Sequence, residues 1–320
     1  MESPDLALFR RSVQQATSTA RGAELDTRLT DLGWLDAAVE DRSAAVSVMF
    51  ESQGASNTHS SALDQLLALT MELSLPVGQA AVLLPALRDT AAPGRMEAGR
   101  ISVRGIGSDA VDRRELAVVP VSDGPDHRAV AVPLMQLEQR RISGLDAALG
   151  LREISGDIPA GAAEDLGPID WAEVVGVGQL ALGHELVGAA RTMLDLARTH
   201  ARNRLQSGRP IASFQAVRHR LAEGLVAVEA AAALLDAAWD EPTPEVAAMA
   251  KGMAGRSGRT MARHAQQVLA GIGFTTEHSL HLMVRRTLVL DQMLGASAVL
   301  TRVLGAQVLE YKVLPATFSL

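Results

Sequence analysis

Two short polar segments in the C-terminal half of the sequence could together bind a phosphorylated ligand. A guanidinium can pair bidentately with a pyrophosphate, and a glycine-rich turn lets backbone N–H groups approach an anion closely. The residues concerned are Arg204 in the first segment and Gly271 and Gly273 in the second. The simpler interpretation is that the arginine is a solvated helix-end cation and that the glycines form a C-cap and turn.

Acid–base and metal chemistry have few candidates in this sequence. Glu185 lies among Ala and Leu residues, where a carboxylate can have the raised pKa that a general base needs, although a surface or intersubunit charge is the commoner role. His278 and His281 have helical spacing, but no third ligand stands near them. We therefore predict no metal site.

Most of the chain is predicted to be helical. The 320 residues are 48% hydrophobic but only 3% aromatic, a composition that favours helix. From residue 168 onward, apolar residues recur at spacings of three and four, which indicates long helices with one buried stripe each. A break at residues 241–244 precedes a third helix, and a fourth begins near Thr276. We expect these to form an antiparallel four-helix bundle.

The middle of the sequence has a different pattern. Gly and Pro become frequent between residues 94 and 167, and three short β-prone runs indicate a small antiparallel sheet. These runs are residues 101–104, 116–119 and 129–132. The predicted fold is thus mainly α with a small central β domain, divided into a helical N-terminal domain (1–93), a β domain (94–167) and the bundle (168–320).

Charge and composition exclude several classes of protein. The formal net charge of −7 argues against nucleic acid as the main partner. The chain has no cysteine and therefore no disulfides. The N-terminus lacks the layout of a signal peptide, and no apolar run reaches the roughly 18 residues that a bilayer span needs. We expect a soluble, cytoplasmic protein that contacts no membrane.

The C-terminal segments resemble motifs of the acyl-CoA dehydrogenase family. Residues 204–215 are similar to its Arg-x-x-Phe-Gly-x-x-Ile pattern and the Phe-Gln that follows, and residues 267–274 are similar to its Gln-x-x-Gly-Gly-x-Gly turn. Residues 277–286 look like the version in actinobacterial steroid- and lipid-degrading members. The resemblance covers residues 170–300 well and 30–165 only faintly.

The resemblance implies a cofactor and a role for the polar segments. In that family, such an arginine and such a turn hold the ADP end of an FAD whose ring lies in the neighbouring subunit. By resemblance we assign FAD binding to Arg204, Gln206, Gln267, Gly271 and Gly273.

Other parts of the family's catalytic apparatus are missing. The segment Thr-Glu-x-x-(Ala/Gly)-Gly-Ser-Asp, which holds the flavin ring in the family, has no counterpart in residues 82–96. The family's catalytic Glu occupies one of two positions, which correspond here to Leu294 and to the vicinity of Gly178. The nearest acid to the second position is Glu185, two helical turns later. Ser207 replaces the motif phenylalanine.

The residues that would bind the ADP end of FAD are present, whereas the segment that holds the flavin ring and the usual catalytic Glu are missing. This asymmetry predicts a subunit of a heteromeric enzyme. A partner acyl-CoA dehydrogenase subunit would supply the ring site and the base for α,β-dehydrogenation of a CoA thioester, steroid-derived or otherwise bulky, and an electron-transfer flavoprotein would accept the electrons. Two alternatives remain open: a catalytically silent structural partner without flavin, and a self-sufficient homo-oligomer that uses Glu185 as its base.

Overall fold

The computed structural model of the chain describes residues 4–312, and it begins with five helices. They pack around Trp34 and Phe50, whose rings meet edge to face with centroids 6.5 Å apart. The helices are α1 (Pro4–Thr19), α2 (Ala23–Asp31), α3 (Trp34–Glu40), α4 (Arg42–Ser56) and α5 (Ala62–Thr70).

A sheet of nine strands follows the helices. Its strands are β1 (Ala80–Val82), β2 (Leu84–Pro85), β3 (Gly94–Glu97), β4 (Arg100–Gly107), β5 (Leu116–Asp123), β6 (Asp126–Pro133), β7 (Glu138–Arg141), β8 (Arg152–Pro159) and β9 (Glu164–Pro168). The main path through the sheet is β7-β8-β4-β3-β5-β6-β9. The three β-prone runs of the sequence lie inside β4, β5 and β6, as predicted.

The sheet differs from the prediction in its strand pairing. It is mixed, because β1 and β3 both pair with β5 in parallel, whereas the other pairs are antiparallel. Its first strand begins at Ala80, earlier than residue 94. Local alternation of apolar residues identifies strands but does not specify which partners a short strand reaches across the fold.

The C-terminal part consists of five helices and a small hairpin. The elements are α6 (Trp171–Asn203), β10 (Leu205–Gln206), β11 (Arg209–Pro210), α7 (Gln215–Asp240), α8 (Pro244–Leu269), α9 (Leu280–Leu290) and α10 (Ser297–Tyr311). Helix α6 begins with a side-chain cap, since the Asp170 carboxylate accepts a hydrogen bond from the Glu173 backbone N–H at 3.0 Å. The mainly α class with a central sheet is confirmed.

The fourth helix of the predicted bundle is interrupted. It is represented by α9 and α10, which are separated by residues 291–296. Leu294 has a φ of 49° and Gly295 a φ of 95°, so the backbone there leaves the helical region. As a result the link between the two helices is a structured turn.

Two glycines allow α4 and α6 to cross in backbone contact. A Cβ added to Gly54 would lie 2.0 Å from the carbonyl oxygen of Glu185, and one added to Gly188 would lie 2.1 Å from that of Glu51. Any larger residue would therefore separate the helices. This crossing joins the N-terminal helices to the longest helix of the C-terminal part.

None of the helices between residues 4 and 312 combines the length and the apolar character that crossing a bilayer requires.

Candidate functional site

A cleft of about 1010 Å³ opens at one end of the C-terminal helices. It lies between the end of α6, the β10–β11 hairpin, the start of α7 and the turn after α8. Four of the five residues that the sequence assigned to FAD binding line it together: Arg204, Gln206, Gln267 and Gly271. We call it the Arg204 cleft.

The hairpin folds back because its turn has the required backbone conformation. Ser207 and Gly208 both have positive φ, 52° and 77°, as a two-residue turn between antiparallel strands of this kind requires. The backbone carbonyl of Arg204 then accepts a hydrogen bond from the Ile211 N–H at 2.9 Å. This arrangement holds the polar segment 204–206 at the mouth of the cleft.

One wall of the cleft is apolar and its mouth has an apolar surround. Ile211, Phe214, Val217 and Val268 line the wall, and the Arg209 guanidinium lies 4.5 Å from the centroid of the Phe214 ring. Three large apolar side chains near the mouth are exposed: Leu205, Ile272 and Phe274. Exposed apolar groups gathered around a polar cleft are typical of an interaction surface.

The charge of the cleft favours an anion. His200, Arg204 and Arg220 contribute basic groups, and no Asp or Glu is among the described residues that line it. The pKa of His200 is lowered, first by burial and then by the positive charges of Arg204 and His278. Burial disfavours a charge of either sign, but the part of this shift that comes from Arg204 and His278 reflects a positive potential, which stabilises an anion.

The positions of two residues relative to the cleft differ from what the sequence predicted. Gly273 is buried and does not line the cleft; a Cβ at this position would lie 2.9 Å from the Cβ of Leu269, so the residue serves the packing of the turn. Arg220, on α7, lines the cleft but was not selected. The run Arg218-His219-Arg220 was the available signal for it.

The two positions where the resemblance expects a catalytic glutamate face each other. Leu294 is buried, and a Cβ added to Gly178 would lie 2.5 Å from its Cδ1 atom and 3.1 Å from the Cδ2 atom of Leu67. Both positions therefore belong to one apolar contact. Neither carries a group that could abstract a proton.

Buried polar groups hold the turn that carries Leu294. The fully buried Lys251 donates hydrogen bonds from Nζ to the carbonyls of Asp291 at 3.2 Å and Gly295 at 3.3 Å, and Gln179 donates to the carbonyl of Leu294 at 2.9 Å. Burial lowers the pKa of Lys251 to about 8, against the opposing effect of the Asp291 carboxylate. The turn is thus rigidly supported even though its base position is a leucine.

Glu185 is buried and lies away from these positions. It is seven residues beyond Gly178, about 10 Å along α6 at the helical rise of ~1.5 Å per residue. Its Oε2 accepts a hydrogen bond from Gln53 at 3.1 Å, and its Oε1 lies 3.9 Å from a guanidinium nitrogen of Arg286, which also pairs with Asp146. Burial raises the pKa of Glu185 to about 7. Glu185 is therefore a buried carboxyl and not the surface or intersubunit charge that is the commoner role of such a residue.

A second cleft, of about 680 Å³, has the opposite charge. It lies between the sheet and helices α6 and α10, and it includes Thr90, whose carbonyl accepts a 2.9 Å hydrogen bond from the Trp171 indole N–H. Its lining has one arginine, Arg88, against four carboxylates: Asp89, Asp126, Asp170 and Glu245. An excess of carboxylates disfavours a phosphorylated ligand here.

The histidines of the turn do not form part of a metal-binding cluster. Among residues 4–312, no group of three or more His, Cys, Asp or Glu side chains is arranged to hold a metal ion. His281 Nδ1 instead lies 2.7 Å from the carbonyl oxygen of His278.

Comparison with known proteins gives a match to a family model and a match to a related sequence. Residues 172–309 match the family model of the acyl-CoA dehydrogenase C-terminal domain. The acyl-CoA dehydrogenase IpdE2 of Mycobacterium tuberculosis is 39% identical over 129 residues, which is 40% of this chain and 41% of that protein. The chain therefore aligns with less than half of this relative's length.

Solved structures share the fold over nearly the whole chain. A variant of the Tcur3481-Tcur3483 steroid ACAD superposes with a TM-score of 0.79 at 20% identity, covering 96% of this chain and 98% of that one. A glutaryl-CoA dehydrogenase from Mycobacterium smegmatis in complex with FADH2 gives a TM-score of 0.76 at 15% identity, covering 98% and 96%. The chain has the acyl-CoA dehydrogenase fold, and the resemblance inferred from its motifs is confirmed.

Proposed function

We propose, from the acyl-CoA dehydrogenase fold and the match of residues 172–309, that this chain is a subunit of an FAD-dependent acyl-CoA dehydrogenase that performs α,β-dehydrogenation of a CoA thioester. In this proposal the chain contributes the ADP end of a flavin site whose ring and catalytic base belong to a partner subunit. An acyl-CoA dehydrogenase subunit of different sequence is the proposed partner.

The observation that carries the proposal is the composition of the Arg204 cleft. Arg204, Gln206, Gln267 and Gly271 come from segments far apart in sequence and line a single cavity with no acidic side chain among its described residues. A guanidinium, two amides and a glycine backbone are groups that bind a diphosphate. The exposed apolar surround of the mouth suits contact with the partner.

The partner is proposed because neither of the two expected base positions in this chain carries a carboxylate and because its second cleft does not suit a phosphorylated cofactor. Leu294 and Gly178 occupy the two expected base positions and pack on each other. The nearby second cleft is rich in carboxylates. In the proposal, this chain's residues bind and orient the diphosphate, while proton abstraction takes place on the partner.

FAD, when bound, supplies the acceptor for the β-hydride. FAD as the cofactor agrees with the FADH2-bound glutaryl-CoA dehydrogenase of the same fold. A steroid-derived or similarly bulky acyl group is the proposed substrate class, which agrees with the likeness to a steroid ACAD. We propose an electron-transfer flavoprotein as the electron acceptor.

Flavin absorbance tests the proposal directly. The chain is purified alone and together with the candidate partner encoded by a neighbouring gene. Yellow protein only after co-purification supports the proposal. Colourless protein in both preparations would support a structural role without flavin, and yellow protein from the chain alone would support a self-sufficient enzyme.

The assignment of the cleft is tested by Arg204→Ala in the co-purified complex. We expect this variant to lose flavin, because it loses a charge-assisted hydrogen bond worth roughly 1.5–3 kcal/mol. The matched control is Arg202→Ala, an exposed arginine in the last turn of α6 that does not line the cleft. An unchanged FAD content in Arg204→Ala would contradict the assignment.

A further inference from the structure

Two arginines lie on different elements of the Arg204 cleft. Arg204 follows the end of α6, and Arg220 lies in the second turn of α7. Neither side chain forms an ion pair within residues 4–312. On α6, by contrast, Arg191 pairs with Glu51 and Glu229. Because no Asp or Glu is among the described residues that line the cleft, the two guanidinium groups favour an anion there.

The charge of Arg220 acts on the surroundings of the cleft. The pKa of His264, on the neighbouring helix α8, is lowered first by burial; Glu223 opposes this effect, and the positive charges of Arg220 and Arg263 add to it. The local potential behind the cleft is therefore raised by Arg220, as it is near His200 by Arg204.

The start of α7 adds a third favourable contribution. Phe214 stands at the N-cap position and supplies no side-chain hydrogen bond, so no side chain caps the first backbone N–H groups of this 26-residue helix. Phe214, Ala216 and Val217 line the cleft, which places the helix N-terminus at its edge. The Val217 N–H already donates to the Phe214 carbonyl at 3.2 Å, so the attraction for an anion comes from the helix dipole and the N–H groups that precede Val217.

We propose that Arg220 is a second phosphate-binding residue, which together with Arg204 binds the diphosphate of the cofactor between α6 and α7. This inference rests on the function proposed above and adds a residue that the motifs do not assign. A diphosphate bridge carries two negative charges, so two guanidinium groups neutralise it where one would leave a net charge in the cleft.

The test uses the complex of this chain with its partner, depleted of flavin, and measures the dissociation constant of FAD at low and at high salt. Arg220→Ala should weaken FAD binding by about tenfold or more and reduce its salt dependence, because one phosphate contact is lost. Arg220→Lys should recover part of the affinity, since it keeps the charge but not the bidentate geometry. A merely structural defect would not reduce the salt dependence.

Arg218→Ala is the matched control. Arg218 is exposed on the same helix, two residues away; its guanidinium lies 3.5 Å from the Ser213 carbonyl, and it does not line the cleft. FAD binding should be unchanged in this variant.

The outcomes separate the two proposals. If Arg204→Ala weakens FAD binding and Arg220→Ala does not, the role of Arg220 is overturned and the proposed function stands. If neither variant affects binding, the ADP-binding role of the cleft fails as well. A parent complex that takes up no FAD would overturn both.

Discussion

Replacing Glu185 by glutamine should make the protein more stable at alkaline pH, an unusual outcome for loss of a carboxylate beside an arginine. Burial raises the pKa of Glu185 from 4.5 to about 7, although Arg286 and the hydrogen bond from Gln53 lower it in part. The groups that face it are Gln53 from α4, Arg286 from α9, Asp146 from the connection between β7 and β8, and His59.

The sign and size follow from linkage. Glu185 binds its proton more tightly in the folded form than in the unfolded form. Its contribution to the free energy of unfolding therefore falls as pH rises from about 4.5 to about 7 and is then constant. A difference of about 2.5 pKa units corresponds to about 3 kcal/mol. Glu185→Gln removes this loss and keeps a carbonyl oxygen that can accept the hydrogen bond from Gln53.

Urea denaturation followed by circular dichroism at several pH values between 4.5 and 8 measures the effect. Relative to the parent, the variant should gain up to about 3 kcal/mol as pH rises through this range. Asp64, whose pKa burial also raises to about 7, is present in both proteins and cancels in the comparison. A constant difference across the range would refute the argument. A variant whose stability relative to the parent is lower at pH 8 than at pH 5 would show that the ion pair with Arg286 dominates.

Two further substitutions test the packing around α6 and its neighbours. Gly188→Ala should lower the free energy of unfolding, measured by thermal denaturation, by at least about 2 kcal/mol, because its Cβ would lie 2.1 Å from the Glu51 carbonyl oxygen. The control is Gly176→Ala on the same helix, where the nearest neighbour of the added Cβ lies at 3.5 Å. This variant should be as stable as the parent or slightly more stable. Leu294→Glu should give no dehydrogenase activity to the purified chain, and turnover of an acyl-CoA with an artificial electron acceptor would contradict this expectation. The variant should also show a steeper fall of the melting temperature between pH 5 and pH 8, because it places a carboxyl in a buried apolar contact.

The order of helices, sheet and helices was predictable because it depends on local patterns. Apolar spacings of three and four located α6 and α7, and β-prone runs located β4 to β6. The parallel pairing of β1 and β3 with β5 was not predictable, since it depends on contacts between segments distant in sequence. The interruption of the fourth helix depends on the φ of 49° at Leu294, and a leucine in the sequence does not predict a positive φ.

The candidate site was predictable to the extent that its residues belong to short motifs. The motifs supplied Arg204 and the turn at Gly271 but not Arg220, which stands outside them and joins the cleft through the packing of α7 on α8. The burial of Lys251 and Arg286 was also missed, because polar residues on a helix are ordinarily assigned to its exposed face, whereas the Ala and Leu residues around Glu185 did indicate a raised pKa for its carboxyl. The small residues around Lys251, from Ala250 to Gly255, were the one local sign that this side chain is enclosed.

Buried polar contacts stabilise the turn that carries Leu294. Lys251, Gln179 and the Asp291 carboxylate fix the turn between α9 and α10, and an added side chain at Gly255 would meet that carboxylate at 2.0 Å. These buried polar contacts are costly to break singly, because each removal leaves a buried group unpaired. Leu294 places no charge in this buried apolar contact and packs against Gly178, so it does not disturb the turn. A leucine at position 294 is therefore compatible with stability of the fold, whereas loss of the supporting polar network is not.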